Sequence, residues 1–138
     1  MSEELAASDL AELVRKAFEA ANRGDLDAVM MSFTEDATFL GRAVGDRSEG
    51  RAAIRTLIEG WWASYEGVEY GLEEVCDLGI GIVFAVVVTN ARPAGSAGNV
   101  RQREGWVFVG VGDLVARVTI SEVDEARAAA ESLAEERA

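Results

Sequence analysis

The stretch that decides the fold is VEYGLEEVCDLGIGIVFAVVVTNA, residues 68–91. Its apolar residues follow a period of two or form one unbroken run, whereas the chain before Val68 keeps a helical period. The strand-like pattern continues to residue 122 and predicts four long strands, at residues 68–77, 80–91, 99–110 and 113–122. The turn-like segments between them favour sequential antiparallel pairing.

Three helices are expected before these strands. The first starts at Ser8 and stops at residues 22–24, the second runs from Asp25 to residues 34–36, and the third covers residues 51–65. Residues 37–40 should add a short strand, and the glycine-rich residues 41–50 a loop or a short hairpin arm. Residues 124–137 are rich in alanine and glutamate, and they predict a final helix that is largely solvated.

The composition argues against several classes of partner. Twenty-five acidic and thirteen basic residues give a formal charge of −12, which repels phosphate backbones and anionic lipid headgroups. We therefore expect neither a nucleic acid nor a membrane as partner, and no apolar run approaches the ~20 residues of a membrane-spanning helix. The single cysteine, Cys76, excludes an internal disulfide, and without a secretory signal pattern it favours a cytoplasmic protein.

The chain contains no histidine, which limits its chemistry. The usual zinc ligand sets and histidine-based catalytic triads cannot be assembled, although carboxylates could still hold a hard cation. We expect a site without metal and without cofactor.

Three short motifs resemble the signature of the nuclear-transport-factor-like superfamily. They are NRGDLD (residues 22–27), FTEDATF (residues 33–39) and GRAAIR (residues 50–55). The superfamily includes ketosteroid isomerases and SnoaL-like polyketide cyclases, and its order of helices and strands is similar to the one predicted above. The resemblance implies an α+β fold, a cystatin-like roll in which a cone-shaped, curved antiparallel sheet packs against three helices, with a C-terminal helix in addition. One SnoaL-like domain would span residues 1–138, with residues 1–7 and 124–138 peripheral.

The resemblance also shows where the chain departs from its relatives. Ketosteroid isomerases use two oxyanion donors, a tyrosine and a protonated aspartate, and an aspartate base. These three positions fall on Ala17, Glu104 and Gly41 respectively, so one carboxyl group is retained. SnoaL-like cyclases use an aspartate with histidines, which this chain lacks, and limonene epoxide hydrolases use an Asp-Arg-Asp set that is missing from residues 80–91.

The resemblance directs Glu104 into a pocket, and the period of two then places Gln102, Trp106 and Phe108 beside it. The same matching adds Phe84, Val86, Val88 and Asn90 from the preceding strand, and Arg117, Thr119 and Ser121 from the last one. Aromatic residues near the mouth complete the expected substrate-binding set: Phe39, Trp61, Tyr65 and Tyr70. Trp61 and Trp62 point about 100° apart on a helix, so one of them should leave the core stripe for the pocket rim or a dimer contact.

The outer face of the sheet should then be apolar. It would carry Val107, Val109, Leu114, Ala116, Val118 and Ile120. Since no further helix is expected to cover this face, the pattern predicts a homodimer that associates through it.

Two interpretations of Glu104 and Arg117 remain open. They could form a structural ion pair, because a buried arginine needs a carboxylate. Alternatively, Glu104 acts as the general acid or base, and Arg117 binds an oxyanion or a carboxylate. The first hypothesis is therefore a cofactor-independent isomerase, cyclase or dehydratase acting by proton transfer on a small apolar carbonyl or carboxylate compound. The second is a non-catalytic module for hydrophobic-ligand binding or dimerisation.

Overall fold

The computed structural model describes residues 2–43 and 45–138, with only the backbone for residues 2–8. The elements are α1 (Ser2–Asn22), α2 (Leu26–Met30), β1 (Phe33–Leu40), β2 (Arg47–Glu49), α3 (Arg51–Ala63), β3 (Tyr65–Gly79), β4 (Ile82–Pro93), β5 (Val100–Val111), β6 (Leu114–Ser121) and α4 (Val123–Arg137). The strands form one sheet in the order β2-β1-β6-β5-β4-β3. The α+β fold predicted from the sequence, a curved sheet packed against helices, is confirmed.

The four long strands pair in sequence and antiparallel, as predicted. β1 extends the sheet beyond β6, with which it pairs in parallel. β2 is the short hairpin arm expected after β1 and forms the edge of the sheet. Some predicted boundaries are wrong. α1 begins at Ser2 and not at Ser8, whose side chain lies outside the described part. Residues 34–36 belong to β1 because Phe33 already pairs with Val115, so strand pairing overrides a local helix-end pattern.

The main core lies between the concave face of the sheet and helices α1 to α3. Its fully buried members include Val14 from α1, Phe39 from β1 and Ile54 from α3. The end of α1 is tied to β3 by Asn22, whose amide donates to the carbonyl of Tyr70 at 2.8 Å and accepts from its N–H at 2.7 Å. These two bonds fix the position of β3 relative to the end of α1.

The convex face of the sheet is covered by α4. Ala126 and Ala130 are fully buried there against a second apolar cluster that includes Phe84 and Val107. Gly105 makes this contact possible, since a Cβ at that position would overlap the Cβ of Ala126. The final helix is largely exposed, as predicted, but the expectation that no helix covers this face is wrong, because the small alanine side chains let the helix lie close on the strands.

Side-chain bonds hold α4 in place. Arg127 forms two bonds to the carboxylate of Glu74 on β3, at 2.9 and 3.0 Å, and its guanidinium lies 4.6 Å from the centre of the Phe84 ring. Arg137 donates to the carbonyl of Ile80 at 2.9 Å. Part of the face that was expected to bind a second copy is thus covered by the chain's own helix. The homodimer stays a prediction.

Candidate functional site

A cavity of about 410 Å³ opens where the concave face of the sheet runs past the end of α3. All three tryptophans and both tyrosines of the chain line it. They are Trp61, Trp62, Tyr65, Tyr70 and Trp106. Amphipathic aromatic side chains offer both stacking surface and hydrogen-bonding groups, so their concentration at one cavity is typical of a small-molecule site.

The strand register explains which residues enter this cavity. Tyr70 on β3 pairs with Thr89 on β4, and Thr89 pairs with Gln102 on β5. Residues that pair directly across strands share a face, so these three side chains form one row of the concave surface. Glu104 lies one step further along the same face of β5. Polar groups therefore occupy the open end of the sheet, and the apolar core occupies the other.

Glu104 is one of two acidic residues that line this cavity, and the other is Asp46. The Glu104 side chain is 12% exposed, and Arg42 lies close by, with its Nη1 atom 3.5 Å from Oε2 of Glu104. Arg42 belongs to the loop after β1, and its own side chain is 48% exposed. This long contact leaves much of the hydrogen-bonding capacity of the carboxylate facing the cavity.

Tyr70 is the second polar group with a defined role. Its hydroxyl accepts a hydrogen bond from Nε1 of Trp62 at 3.2 Å, so its own proton stays free to donate. Burial raises the pKa of Tyr70 above 10.0, although the bond from Trp62 opposes the shift and the nearby Tyr65 adds to it. Tyr70 is thus a neutral hydrogen-bond donor at physiological pH.

A second, smaller cavity of about 60 Å³ adjoins the first on its inner side. It shares Trp61, Trp62, Tyr70 and Trp106 with the larger cavity, and Ala17 of α1 borders it. Trp106 packs edge-on against Phe18 of α1, with ring centres 5.3 Å apart. The four shared aromatic side chains therefore lie at the boundary between an outer space with polar groups and an apolar inner one.

The structure brings many of the predicted site residues to these two cavities. Gln102 and Glu104 line the larger one, and Trp106 borders both. Phe39 and Phe108 line the smaller one. Trp61, Trp62, Tyr65 and Tyr70 also lie there, so neither of the adjacent tryptophans turns away from the site.

The predicted orientation of β4 is wrong. Phe84 and Val86 face α4, and Asn90 is exposed. Val88 lies in neither cavity lining. The concave face of β4 is formed instead by Val83, Ala85, Val87, Thr89 and Ala91. Residues 82–88 are all buried, so both faces of the strand are apolar and the alternation that would distinguish them is absent.

The predicted orientation of β6 is also wrong. Arg117 is exposed and pairs with Val109, and Thr119 pairs with Val107, so both share the convex face. Ser121 pairs with Gly105 on that face too. Val118 and Ile120 belong to the main core and not to the outer face, whereas Val107 and Val109 do pack beneath α4 as predicted. The alternation along β6 correctly predicts that its apolar residues are buried and its polar residues face outward. The prediction went wrong because the facing of β6 was taken from the match to relatives.

The predicted pair of Glu104 and Arg117 is therefore not formed. The two residues lie on opposite faces of the sheet, and Arg42 is the cation near Glu104. Arg42 and Asp46 were missed because residues 41–50 were predicted as a loop, whose path cannot be read from its composition. Thr89 was missed because of the reversed β4. The sequence did offer a signal for Arg42 and Asp46. They carry opposite charges and follow Gly41, the position that corresponds to the base of ketosteroid isomerases.

Neither a membrane span nor a metal cluster is found in the described part of the chain. No helix there combines the length and apolar composition that crossing a membrane would require. No group of three or more acidic or cysteine side chains in residues 9–43 and 45–138 is arranged to hold a metal ion. The metal-free, cofactor-free site stays a prediction.

Comparison with known proteins identifies the family. A model of the SnoaL-like domain matches residues 14–118. Bal32a, from a soil-derived mobile gene cassette, is 22% identical with a TM-score of 0.78, over 91% of this chain and 97% of Bal32a. A protein of Xanthomonas campestris pv. campestris, provisionally named a polyketide cyclase, is 23% identical with a TM-score of 0.69, over 87% and 95% of the two chains.

TerC, co-crystallised with polyporic acid, is 9% identical with a TM-score of 0.74, over 90% of this chain and 98% of TerC. None of the curated protein sequences matches this chain. At such identities the solved structures establish the fold alone, whereas the family model covers most of the chain. The chain therefore belongs to the SnoaL-like domain family and has the nuclear-transport-factor-like, ketosteroid isomerase-like fold.

Proposed function

We propose that the protein is a cofactor-independent enzyme that transfers a proton on a small, largely apolar carbonyl compound bound in the larger cavity. The observation that carries this proposal is the position of Glu104. Its side chain is 12% exposed and lies in an aromatic-lined wall, and its carboxylate makes one long contact with Arg42. A carboxylate in such a place is a candidate acid or base.

Tyr70 takes the role that was first assigned to Arg117. When the Glu104 carboxylate removes a proton from the carbon beside the carbonyl, the electron pair moves to the carbonyl oxygen. The Tyr70 hydroxyl donates a hydrogen bond to that oxygen and stabilises its developing charge. The protonated Glu104 then gives the proton to a different carbon, which completes an isomerisation. In a ring closure, the enolate carbon instead attacks a second carbonyl carbon of the same molecule, and Glu104 gives its proton to the alkoxide that forms.

The charges of the cavity favour a carbonyl over a carboxylate as the reacting group. Glu104 and Asp46 both line the wall, and Arg42 is the cation that lines it with them. With Arg117 on the convex face, a bound carboxylate would meet more negative than positive charge, and the formal charge of −12 adds to this repulsion.

The names of two similar structures support the class of ligand. One is provisionally named a polyketide cyclase, and TerC was co-crystallised with polyporic acid. The first name concerns a compound that carries ketone groups, and each name applies to its own protein. For this chain they support a pocket that holds an apolar molecule with oxygen substituents.

Exchange of the α-protons of 2-butanone in D₂O tests the proton transfer directly, followed by NMR. We expect the wild type to accelerate exchange, Glu104→Gln to lower the protein-catalysed rate by about 10²–10⁴-fold, and Tyr70→Phe to lower it by about 10²-fold. Glu69→Gln is the matched control, because this carboxylate is exposed on β3 outside the cavity. An unchanged rate in Glu104→Gln would refute the catalytic role. Ketone binding by the wild type without any exchange would favour a non-catalytic binding protein.

A further inference from the structure

The smaller cavity has an apolar lining that the proton-transfer chemistry does not use. Its wall is formed by aliphatic and aromatic side chains of α1, β1, α3 and the sheet, and it has almost no polar surface. An unfilled apolar space inside a packed core costs stability. A ligand that fills this space when bound would explain why an apolar cavity is kept beside a polar site.

The cavity exists because α1 places small side chains at this point. Ala17 and Ala21 lie one helical turn apart and both border the space, while Phe18 between them is buried in the core. A larger residue at either alanine would extend into the cavity. The volume of about 60 Å³ is enough for about four water-sized groups.

The two cavities are contiguous around one polar group. Tyr70 borders both, and so do Trp61, Trp62 and Trp106. A carbonyl oxygen that accepts from the Tyr70 hydroxyl therefore lies at the boundary, and a substituent on the inner side of that carbonyl points past the tryptophan edges into the smaller cavity.

We infer that the smaller cavity binds an alkyl arm of about three or four carbons attached to the substrate carbonyl, and that Ala17 sets the length of this arm. The inference rests on the proposed ketone site and names its substrate class: an unbranched alkyl ketone, or a larger ketone with such a side chain. Each buried methylene group should tighten binding about fourfold, equivalent to ~0.8 kcal/mol.

Binding of a homologous series, from 2-butanone to 2-nonanone, tests this by titration calorimetry and tryptophan fluorescence. In the wild type, affinity should rise about fourfold per methylene group and level off once the arm fills the cavity. Ala17→Leu fills the space with its own side chain, so the dependence on chain length should largely disappear while 2-butanone still binds. Ala21→Leu, from the next turn of α1, should behave in the same way and provides a second variant if the first fails to fold.

Ala91→Leu is the matched control, because Ala91 lines the larger cavity and not the smaller one. It should weaken all ketones by a similar factor and leave the chain-length dependence intact. A wild type that binds the ketones equally, or a folded Ala17→Leu variant that keeps the wild-type dependence, would overturn the inference and leave the proton-transfer proposal standing. If no ketone binds, both proposals fail.

Discussion

Replacing Gly105 by alanine should loosen α4 from the sheet. Gly105 lies on the convex face of β5, between Glu104 and Trp106, which face the cavity. An added Cβ would overlap the Cβ of Ala126 and lie 3.0 Å from the Cα of Val123. Because these atoms belong to the helix backbone and its shortest side chain, no rotamer change relieves the contact, and the helix itself has to move.

The magnitude follows from two opposing effects. Overpacking of a well-packed contact costs about 1–3 kcal/mol, whereas alanine in place of glycine within a strand favours folding by about 0.5–1 kcal/mol. Because the overlapping atoms cannot turn away, the cost of overpacking should be about 2–3 kcal/mol, and a gain of about 1 kcal/mol from alanine leaves a fall in the free energy of unfolding of about 1–2 kcal/mol. For a domain of this size, this corresponds to a melting temperature lower by about 4–8 °C.

Urea and thermal unfolding followed by circular dichroism measure this change. The matched control is Gly67→Ala on β3, where an added Cβ meets no atom within 4 Å and stability should stay equal or rise. Ala126→Gly should partly rescue Gly105→Ala, so that the double variant is about 1 kcal/mol more stable than the sum of the two single changes predicts. A Gly105→Ala variant as stable as the wild type would refute the close packing of α4 on β5.

Three further predictions concern Glu74, Asn22 and Tyr70. The bonds from Arg127 lower the pKa of Glu74 below 4.5, so they stabilise the fold fully above about pH 4.5 and lose this effect as pH falls through the folded-state pKa. The stability difference between wild type and Glu74→Gln should thus shrink in acid, and a difference that stays constant down to pH 2 would contradict it. Asn22→Ala removes both bonds to the Tyr70 backbone and should lower the free energy of unfolding by about 1–2 kcal/mol, with Asn22→Asp between it and the wild type; equal urea midpoints for all three would count against this tie. The absorbance titration of the wild type minus that of Tyr70→Phe should place the phenol of Tyr70 above pH 10, and a midpoint below 10 would show that burial does not control it.

Much of the fold could be predicted from the sequence because helix and strand periods are local properties. The long strands and their antiparallel order follow from residues 68–122, and the family motifs at residues 22–27 and 50–55 follow from helix ends. Asn22 shows the limit of such reasoning. The sequence predicted only that a helix ends at Asn22. In the structure its side chain also forms two hydrogen bonds with the backbone of Tyr70 on β3.

The candidate site was predicted less well than the fold. Glu104, Tyr70 and the tryptophans line the cavity, as the family resemblance suggested for Glu104 and the helix and strand periods suggested for the aromatic residues. The cation beside Glu104 was assigned to Arg117 and is Arg42, which lies in a loop. Loop paths depend on what they pack against, so composition alone does not reveal which charge a loop brings to a cavity.

The sequence by itself indicated two neighbouring strands within residues 68–91, because a period of two and a short run rich in valine, separated by the glycines at positions 79 and 81, favour strands over a helix. Only the tertiary structure decided which face of β4 borders the cavity. Both faces of that strand are apolar, so the order of its residues does not show which face points inward. The inward face is decided by α4, which covers Phe84 and Val86 on the other side. A helix more than thirty residues further along the chain thereby determines that Thr89, and not Asn90, faces the site.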